Sequence, residues 1–473
     1  MALYSQKNIS FAETFIFEIM KHLFIFLFIS ATALKVSAQR IVSGTSWFDQ
    51  NGNTVNAHGA NIIRDGDKWW MFGEYKLDKS NEFNGFSCYS STNLTDWEFE
   101  RMALPVQHDG ILGSQRIGER PKVMKCPLTG KYVMLMHSDN ATYNDQRTAI
   151  AISDRVDGEY TFLGPLLHKG KEMRYWDIGT FQDNDGTGYL LVNHGKIYRL
   201  ADDYMTVDTL VATISGAGES PVMFRHGDTY FYITSNLTSW ERNDNYYYTS
   251  KSVEGPWTKK GLLCPKGRLT WNSQCSFVLP IETTEDTIYM YMGDRWSYPH
   301  QGSAATYVWQ PLNIYNDEIS IPEYHQAWIP SSIAMEKYLV TTCLQQEYHS
   351  EEEMLFRDWK RKTPNFHSSY PNKKFVKTFR GTRIGFMGNT NSQSGYGKVT
   401  ILSSKGDTVH TALVDFYSLT PTFDIRYISP ALPKAKYKLV VEPTGESPVW
   451  FDKRQNRFGS TGTDVDVRYL YVK

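Results

Sequence analysis

Internal repetition constrains this sequence more than any other feature. A polar turn followed by an alternating strand rich in aromatic residues occurs five times. The five copies read DGDKWWMFGEY from Asp65, TGKYVMLMH from Thr129, DGTGYLLVN from Asp185, HGDTYFYITS from His226 and EDTIYMYMGDRW from Glu285. A second strand follows each copy, so each unit is an all-strand module that cannot bury both of its faces alone.

Radial stacking of such modules buries both faces and protects the strand edges. The repeats therefore predict an all-β chain with a five-bladed β-propeller over residues 43–330. The 30 Tyr, 25 Phe and 13 Trp, and the lack of long Ala/Leu/Glu/Lys runs, also favour strands. A two-sheet sandwich with internal repeats is the competing fold.

The composition changes after the fifth repeat. Residues 331–374 are polar and mixed in charge, and they are predicted to form a linker. Short alternating strands separated by turn signals resume at Phe375 and continue to Lys473. This pattern predicts a C-terminal β-sandwich, residues 375–473, of the jelly-roll-like accessory type.

The N-terminal residues have the pattern of a secretory signal peptide. Met20 begins a short basic segment, Leu23 to Ala33 form an apolar run, and small residues precede Gln39. We expect cleavage after Ala38, with residues 1–19 as an upstream extension and Met20 as the initiator. The interpretation predicts a secreted or periplasmic protein without membrane insertion, because the apolar run is too short to span a bilayer.

Charge and cysteine content exclude several classes of protein. The chain carries 50 Lys+Arg against 51 Asp+Glu, which argues against a nucleic-acid-binding protein. Its five cysteines form no C-x-x-C pair, so a thiolate zinc site is not expected. No metal or cofactor is predicted, although an ion inside the propeller channel stays open, and the protein is expected to be a monomer.

A propeller brings one loop per blade to each end of its central channel, so a functional site should draw one or two polar residues from every repeat. The candidates are Glu74, Glu119, Arg120, Tyr143, Asp177, Glu219 and Gln274. Asp177, Glu219 and Gln274 each precede an apolar strand that leads into a repeat turn. Carboxylates that converge there would push each other's pKa values apart, and one of them could stay protonated and act as an acid.

Ordered motifs across all five repeats resemble glycoside hydrolase family 43, in particular its exo-β-1,3-galactanase branch. The matching strings are NAHGANI, FGE, GERPKVM, GKYVMLMH, FQDNDGTGYLL, GESPVMF, LTSWERNDNYYYTS, SVEGPW, NSQCSF, YMGDRW and TYVWQPL. The resemblance implies that Glu219 is the general acid and that Asp177 tunes and orients it. It also implies that Glu74, Glu119 and Tyr143 line the subsite for the terminal sugar.

The sequence departs from the pattern of most of the family in its first blade. The stretch Ala57-His58-Gly59 stands where an Asp general base is usual. The galactanase branch shares this loss, and the resemblance implies that Gln274 positions the attacking water, with Glu119 as the alternative. In an inverting enzyme, the water-side group and the acid lie about 6.5–9.5 Å apart.

Four further residues are candidates for binding sugar. Trp240 and Trp296 could stack on sugar faces, although a tryptophan in a blade is more often part of the core. Arg120 could form a structural ion pair with the adjacent Glu119. His58 could contact a water or an ion in the channel, although a histidine with a structural role is more common.

Together, these features predict an inverting exo-glycosidase that releases terminal galactose from β-1,3-galactan or arabinogalactan side chains. An α-L-arabinofuranosidase or β-galactofuranosidase remains an alternative within the same class. A non-catalytic carbohydrate-binding propeller is the alternative from a different class, because the carboxylate in blade one is missing.

Overall fold

The computed structural model describes residues 40–283, 286–330, 355–356, 359–452 and 454–473. The predicted signal peptide, residues 331–354 of the predicted linker and Cys343 lie outside the described residues. Strands and turns make up nearly all of the described part. Its helical turns are Gly110–Leu112, Leu269–Asn272 and Gln301–Ala304. Within the described ranges, no helix is both long and apolar enough to cross a membrane.

Five antiparallel sheets, the blades, follow one another along the chain, which confirms the predicted propeller. Blade 1 contains His58–Asp65, Lys68–Glu74, Phe86–Ser91 and Glu98–Leu104. Blade 2 contains Arg116–Lys125, Tyr132–Asn140, Arg147–Ser153 and Thr161–Pro165. Blade 4 contains Glu219–His226, Thr229–Ser235, Tyr246–Ser250 and Thr258–Leu262. In each case the turn of the sequence repeat joins the first strand to the second.

Blades 3 and 5 differ from this four-stranded plan. Blade 3 contains Gly179–Gln182, Gly188–Val192, Lys196–Leu200 and Val207–Thr213, extended by Leu167–His168 and Lys171–Glu172. Blade 5 contains Gln274–Glu282, Thr287–Arg295 and Thr306–Pro311. A short pair, Asn313–Tyr315 and Glu318–Ser320, follows it.

The hydrophobic cores lie between successive blades. Side chains alternate along each strand, so each blade presents apolar residues to both of its neighbours. Phe72 of blade 1 packs with Met134 of blade 2 in one cluster, and similar clusters join blades 2 and 3, blades 3 and 4, and blades 4 and 5. Another cluster joins Met290 of blade 5 to Met71 of blade 1. The ring is therefore closed by the same kind of packing that joins its other blades.

The two ends of the propeller segment meet at the last blade. Ile41–Val42 pairs in antiparallel fashion with Ala327–Trp328. The Gly44 amide donates to the Tyr307 carbonyl at 2.7 Å, and the Ser43 hydroxyl donates to the Trp309 carbonyl at 2.7 Å. The N-terminal residues thus lie along the outer strand of a blade that the C-terminal part of the ring supplies.

Lys122 joins three inner strands of the ring. This fully buried ammonium extends from blade 2 to the carbonyl oxygens of Gly59 at 2.6 Å, Ala60 at 2.9 Å and Ser276 at 3.1 Å. Burial, together with the nearby Arg120 charge, lowers the pKa of Lys122 to about 7. The three carbonyl acceptors match the three hydrogens of an ammonium group.

The C-terminal residues form two facing antiparallel sheets, as predicted. One sheet contains Lys360–Lys362, Tyr469–Val472, Ile384–Thr390 and Thr422–Ile428. The other contains Phe375–Gly381, Ala435–Pro443, Tyr396–Ser403 and Thr408–Asp415. Two short pairs flank them: Phe366–Ser368 with Val465–Val467, and Val449–Phe451 with Arg457–Gly459. The apolar core between the sheets includes Phe386, Val399, Tyr427 and Leu439.

The sandwich begins before Phe375, which is its predicted first residue. Lys360–Lys362 pairs with the last strand of the chain, and Phe366–Ser368 pairs with Val465–Val467. Both strands fall within the segment predicted as linker. Both strands have three residues, too few to show a clear alternation, and their pairing partners lie about a hundred residues away, so no local pattern identifies them.

We expect Lys122→Ala to destabilise the propeller, because it leaves buried carbonyl oxygens of two other blades without a donor. The loss in free energy of unfolding should be about 1–3 kcal/mol, measured by urea denaturation. Lys125→Ala is the matched control, since Lys125 lies in the same strand but is half exposed beside Asp65. The control should stay within about 0.5 kcal/mol of the wild type. If the two variants lost the same free energy of unfolding, the stabilising role of the buried Lys122 would be contradicted.

Candidate active site

Strand register places the candidate residues at one end of the ring. The first strand of a blade begins opposite the end of its second strand, as the pairs His58–Glu74, Glu219–Ser235 and Gln274–Asp294 show. In blade 2 both strands are longer, and the corresponding pair, Glu119–His137, lies inside them. These pairs occupy the same place in four different blades. The predicted gathering of polar side chains at one mouth therefore follows from the way each hairpin is built.

In three of these blades, the residue after the first member of the pair has a left-handed backbone conformation, and its amide contacts a neighbouring blade. Gly59, Arg120 and Ser220 have φ angles of 57°, 54° and 54°. Their amides donate to a carboxylate of the preceding blade around the ring, which is Asp294 at 3.1 Å, Glu74 at 2.9 Å and Asp177 at 2.7 Å, respectively. Such angles are uncommon for residues other than glycine and are found most often at functional sites.

Arg120 lies at the centre of the site and is almost completely buried. Its Nε donates to Asp177 Oδ1 at 2.8 Å, and its Nη2 donates to Ser220 Oγ at 2.6 Å and to Gln274 Oε1 at 2.8 Å. Its Nη1 donates to the Cys275 carbonyl at 3.2 Å. The ion pair of Arg120 thus forms with Asp177 and not, as predicted, with the adjacent Glu119, because the Glu119 carboxylate is held by Lys76 and His137 instead.

Among the carboxyl groups of this cluster, Glu219 has the fewest neighbours that would stabilise its ionised form. Its described side-chain contact is with Gln274 Nε2, at 3.2 Å. Burial raises the pKa of Glu219 well above its ordinary value, and the Asp177 carboxylate raises it further against the opposing effect of Arg120. Glu219 is therefore suited to hold a proton at a pH where an exposed glutamate has lost it.

Glu74 and Glu119 share one buried ammonium group. Lys76 Nζ lies 2.5 Å from Glu74 Oε2 and 3.5 Å from Glu119 Oε1. Glu119 also contacts His137 Nδ1 at 3.2 Å and accepts a hydrogen bond from the Tyr143 hydroxyl at 2.8 Å. Burial alone would raise the pKa of Glu119, but Lys76 and His137 bring it far below its ordinary value. Glu119 is therefore a weak base and a strong hydrogen-bond acceptor.

His137 supplies a second cation next to Glu119. Its Nε2 lies 3.4 Å from Asp139 Oδ2. Burial lowers the pKa of His137, but the hydrogen bonds with Asp139 and Glu119 outweigh it and raise the value to about 9. The imidazole is therefore charged at neutral pH and helps to keep Glu119 ionised.

Gln274 uses its full hydrogen-bonding capacity within the protein. Its Oε1 accepts from Arg120 and from Trp296 Nε1, the latter at 2.9 Å. Its Nε2 donates to Glu219 and to Ser235 Oγ, the latter at 3.0 Å. A primary amide has two donor hydrogens and two acceptor positions, so all four are taken. Binding a water at Gln274 would require exchange of one of these bonds.

An unusual turn delivers Gln274 to this position. Leu269, Thr270, Trp271 and Asn272 all have left-handed φ angles, between 50° and 64°. Asp244 accepts hydrogen bonds from the Leu269 amide at 2.8 Å, and Arg295 donates to the Trp271 and Asn272 carbonyls. Consecutive left-handed residues other than glycine are unfavourable, so these polar contacts hold the turn against its intrinsic preference.

Trp240 and Trp296 form an aromatic wall beside the acidic cluster. Their rings meet edge to face at 5.3 Å, and Trp240 lies parallel to Tyr298 at 6.2 Å. Lys76 Nζ lies 5.5 Å from the Trp240 ring centre and 5.7 Å from that of Trp296. Trp296 is buried and Trp240 is partly exposed, so Trp240 is the better placed of the two for stacking on a sugar.

His58 lies in the interior, as expected for a histidine with a structural role and not for one that binds sugar. Its side chain is inaccessible to solvent, stacks on Tyr307 at 4.9 Å and places Nδ1 3.2 Å from Asp294 Oδ1. A group that is sealed in this way cannot contact substrate directly. Within the described ranges, no cluster of three or more His, Cys, Asp or Glu side chains could hold a metal ion.

Sequence reasoning missed Lys76, His137, Ser235 and Asp294. Lys76 lies two residues after Glu74, and alternation along an extended segment directs both side chains to the same side. His137, Ser235 and Asp294 occupy the place in repeats 2, 4 and 5 that Glu74 occupies in repeat 1. An alignment of the five repeats on one another would therefore have found these three residues.

Comparison with known proteins identifies the family. The family model "Glycosyl hydrolases family 43" matches residues 54–220. A candidate exo-β-1,3-galactanase from Bifidobacterium bifidum S17 is 36% identical, with a TM-score of 0.56, and the alignment covers 60% of this chain and 96% of that one. The chain belongs to glycoside hydrolase family 43. The comparison with curated proteins found no match.

Two further family 43 structures resemble this protein. A variant of the exo-β-1,3-galactanase from Phanerochaete chrysosporium, solved with β-1,3-galactotriose, is 26% identical over 92% of this chain and 100% of that one, with a TM-score of 0.64. A family 43 β-1,3-galactosidase, solved with galactodeoxynojirimycin, is 27% identical over 60% of this chain and 98% of that one, with a TM-score of 0.55. This family 43 protein is thus a glycoside hydrolase of the galactanase and galactosidase branch, not a binding-only propeller.

The raised pKa of Glu219 makes stability depend on pH. Between the ordinary glutamate pKa and the folded-state value, the folded protein retains a proton that the unfolded chain has released, so stability falls as pH rises. Glu219→Gln cannot ionise and should escape this loss. Its advantage in free energy of unfolding over the wild type should therefore grow as pH rises from about 4.5, measured by urea denaturation at several pH values. Glu254→Gln, on the exposed surface of the same blade region, should show no such trend.

Proposed function

We propose that this family 43 enzyme is an exported, inverting exo-glycosidase that releases terminal galactose from β-1,3-galactan or arabinogalactan side chains. The observation that carries the proposal is the asymmetry of the carboxyl groups at the mouth of the ring. Glu74, Glu119 and Asp177 each have a cationic partner within ion-pair distance, whereas Glu219 has none among the described residues. Burial also raises the pKa of Glu74, against the effect of Lys76, but Glu219 combines a raised pKa with the lack of an adjacent cation among the described residues.

The proposed reaction is a single displacement through an oxocarbenium-like transition state. Water bonds to the anomeric carbon as the bond to the leaving oxygen breaks, and the proton that this water loses passes to solvent. Glu219 gives its proton to the leaving oxygen of the glycosidic bond, and Asp177, fixed by Arg120 and Ser220, keeps the acid protonated and oriented. Glu119 and Glu74 accept hydrogen bonds from the hydroxyl groups of the terminal sugar, whose face lies against Trp240. In this scheme a protonated carboxyl group acts as the acid, and ionised carboxylates accept hydrogen bonds from the sugar.

The attacking water is proposed to bind at Gln274. The bond from its Nε2 to Glu219, at 3.2 Å, is the longest of its four hydrogen bonds. Exchange of this bond for one to water is therefore the least costly. The 3.2 Å contact is shorter than the separation of about 6.5–9.5 Å expected between the water-side group and the acid, so the proposal requires the Glu219 side chain to turn away from Gln274 toward the leaving group. The low basicity of Glu119 leaves this residue better suited to sugar binding than to proton abstraction.

Galactose as the released sugar, and β-1,3-galactan as its source, are proposed by analogy with the similar proteins from Bifidobacterium and Phanerochaete. Export rests on the predicted signal peptide. A panel of β-1,3-galactan, arabinogalactan, arabinan and aryl glycosides, followed by chromatography of the released sugars, tests the choice of substrate. Release of arabinose alone would replace the proposal with an arabinofuranosidase. Proton NMR of the first product tests inversion, because a β-linked substrate must yield the α-anomer first.

We expect Glu219→Gln to lower kcat by a factor of about 10²–10⁴ on substrates with a poor leaving group, because the amide cannot donate a proton to the glycosidic oxygen. Circular dichroism and the binding of galactose should remain close to those of the wild type. Glu254→Gln is the control and should retain full turnover. Turnover of Glu219→Gln near the wild-type level would remove Glu219 from the role of acid.

Separate variants distinguish the two candidates for the water side. Gln274→Ala should lower kcat by about 10²-fold with a small change in KM, since it removes a group that acts on water in the transition state. Glu119→Gln should mainly raise KM, because it weakens acceptance of sugar hydroxyl groups in the ground and transition states alike. Steady-state kinetics on the identified substrate measure both. The opposite pattern would make Glu119 the group that handles the water.

A further inference from the structure

The two tryptophans of the active site lie on loops that contact the C-terminal sandwich. Trp240 lies on the loop between the second and third strands of blade 4, and Trp296 on the equivalent loop of blade 5. Both loops contact residues 415–417, which form the end of the sandwich strand Thr408–Asp415 and the two residues after it. The sandwich therefore contacts the part of the propeller that carries the aromatic wall.

Tyr417 holds the blade 4 loop. Its hydroxyl donates to Glu241 Oε2 at 2.8 Å, and Glu241 directly follows Trp240 in sequence. The Glu241 side chain is nearly buried, so this hydrogen bond forms with little competition from solvent. Within the loop, Thr238 Oγ1 donates to the Glu241 carbonyl at 2.6 Å.

Asp415 and Tyr396 hold the blade 5 loop through Ser297, the residue after Trp296. The Ser297 hydroxyl donates to Asp415 Oδ2 at 2.8 Å, and the Tyr396 hydroxyl donates to the Ser297 carbonyl at 2.7 Å. All three residues are buried. The backbone next to Trp296 is thus fixed by two groups that belong to a different domain.

Arg242 joins the two loops to each other and to the sandwich. Its Nη2 donates to the Trp296 carbonyl at 2.6 Å and lies 3.9 Å from Asp415 Oδ2. Its guanidinium lies 5.2 Å from the centre of the Tyr417 ring. Because Arg242 is buried, both the carboxylate and the ring of the sandwich help to hold its charge.

We propose that the sandwich acts as part of the active site, with Tyr417 and Asp415 as positioning residues that hold Trp240 and Trp296 against the bound sugar. The argument rests on the proposed function in one respect, which is that these tryptophans form a wall of the sugar subsite. Trp296 in turn donates to Gln274, so the sandwich also influences the orientation of the amide beside Glu219. Loss of the brace should therefore weaken substrate binding more than the chemical step.

Tyr417→Phe is the direct test, because it removes one hydroxyl and keeps the ring that packs on Arg242. On whichever glycan of the panel the wild type hydrolyses, KM should rise about fivefold, the effect of one lost hydrogen bond, while kcat changes less than about twofold. Tyr437→Phe is the matched control. Tyr437 is a buried tyrosine of the same sandwich, and its hydroxyl donates within the sandwich to the Pro433 carbonyl at 2.7 Å.

A double-mutant cycle tests whether Tyr417 acts through the tryptophan wall. In a Trp240→Ala background, Tyr417→Phe should raise KM no further, since the group that it positions is already absent. Additive effects would overturn the proposal, as would an equal rise in KM for Tyr437→Phe or an unchanged KM for Tyr417→Phe. If the enzyme hydrolysed a different glycan and not β-1,3-galactan, the proposed substrate would be wrong. The same kinetic comparison on that glycan would still test the role of the sandwich.

Discussion

The buried guanidinium of Arg120 is the interaction on which the rest of this structure depends. Its donors reach side chains or carbonyls of blades 3, 4 and 5, and its own backbone amide is bound by Glu74 of blade 1. A buried cation is costly unless it is paired and hydrogen-bonded, so the blades that supply these acceptors must place them at matching heights around the guanidinium. The closure of the ring and the geometry of the active site are consequently one feature, held by a planar group that a lysine could not replace.

Burial and the distribution of cations together shift the pKa values of the carboxyl groups at this site. Arg120 serves Asp177, and Lys76 serves both Glu74 and Glu119, which His137 supports further. Glu219 is left with an amide, among neighbours that are already negative. Burial raises the pKa of Glu219, whereas the cations beside Glu119 outweigh the effect of burial and lower its pKa. The residue type alone would not have distinguished Glu219 from Glu119.

Local patterns in the sequence were sufficient for the propeller, because strand alternation and turn chemistry repeat within each module. They also pointed to Asp177, Glu219 and Gln274, which hold related places in successive repeats. They did not indicate the saturation of Gln274, which depends on Ser235 and Trp296, or the left-handed turn Leu269–Asn272, which contains no glycine. The pairing of Lys360–Lys362 with the end of the chain was hidden for the same reason. Each of these features is decided by partners that are distant in sequence.

The pairing of Ile41–Val42 with Ala327–Trp328 has a consequence for the way such a ring can be encoded. Since the two ends of the propeller segment are neighbours in space, the chain could begin at a different blade without changing how the blades pack. The order of contacts around the axis defines the ring, and a circularly permuted gene that preserved this order would encode the same mouth of polar side chains.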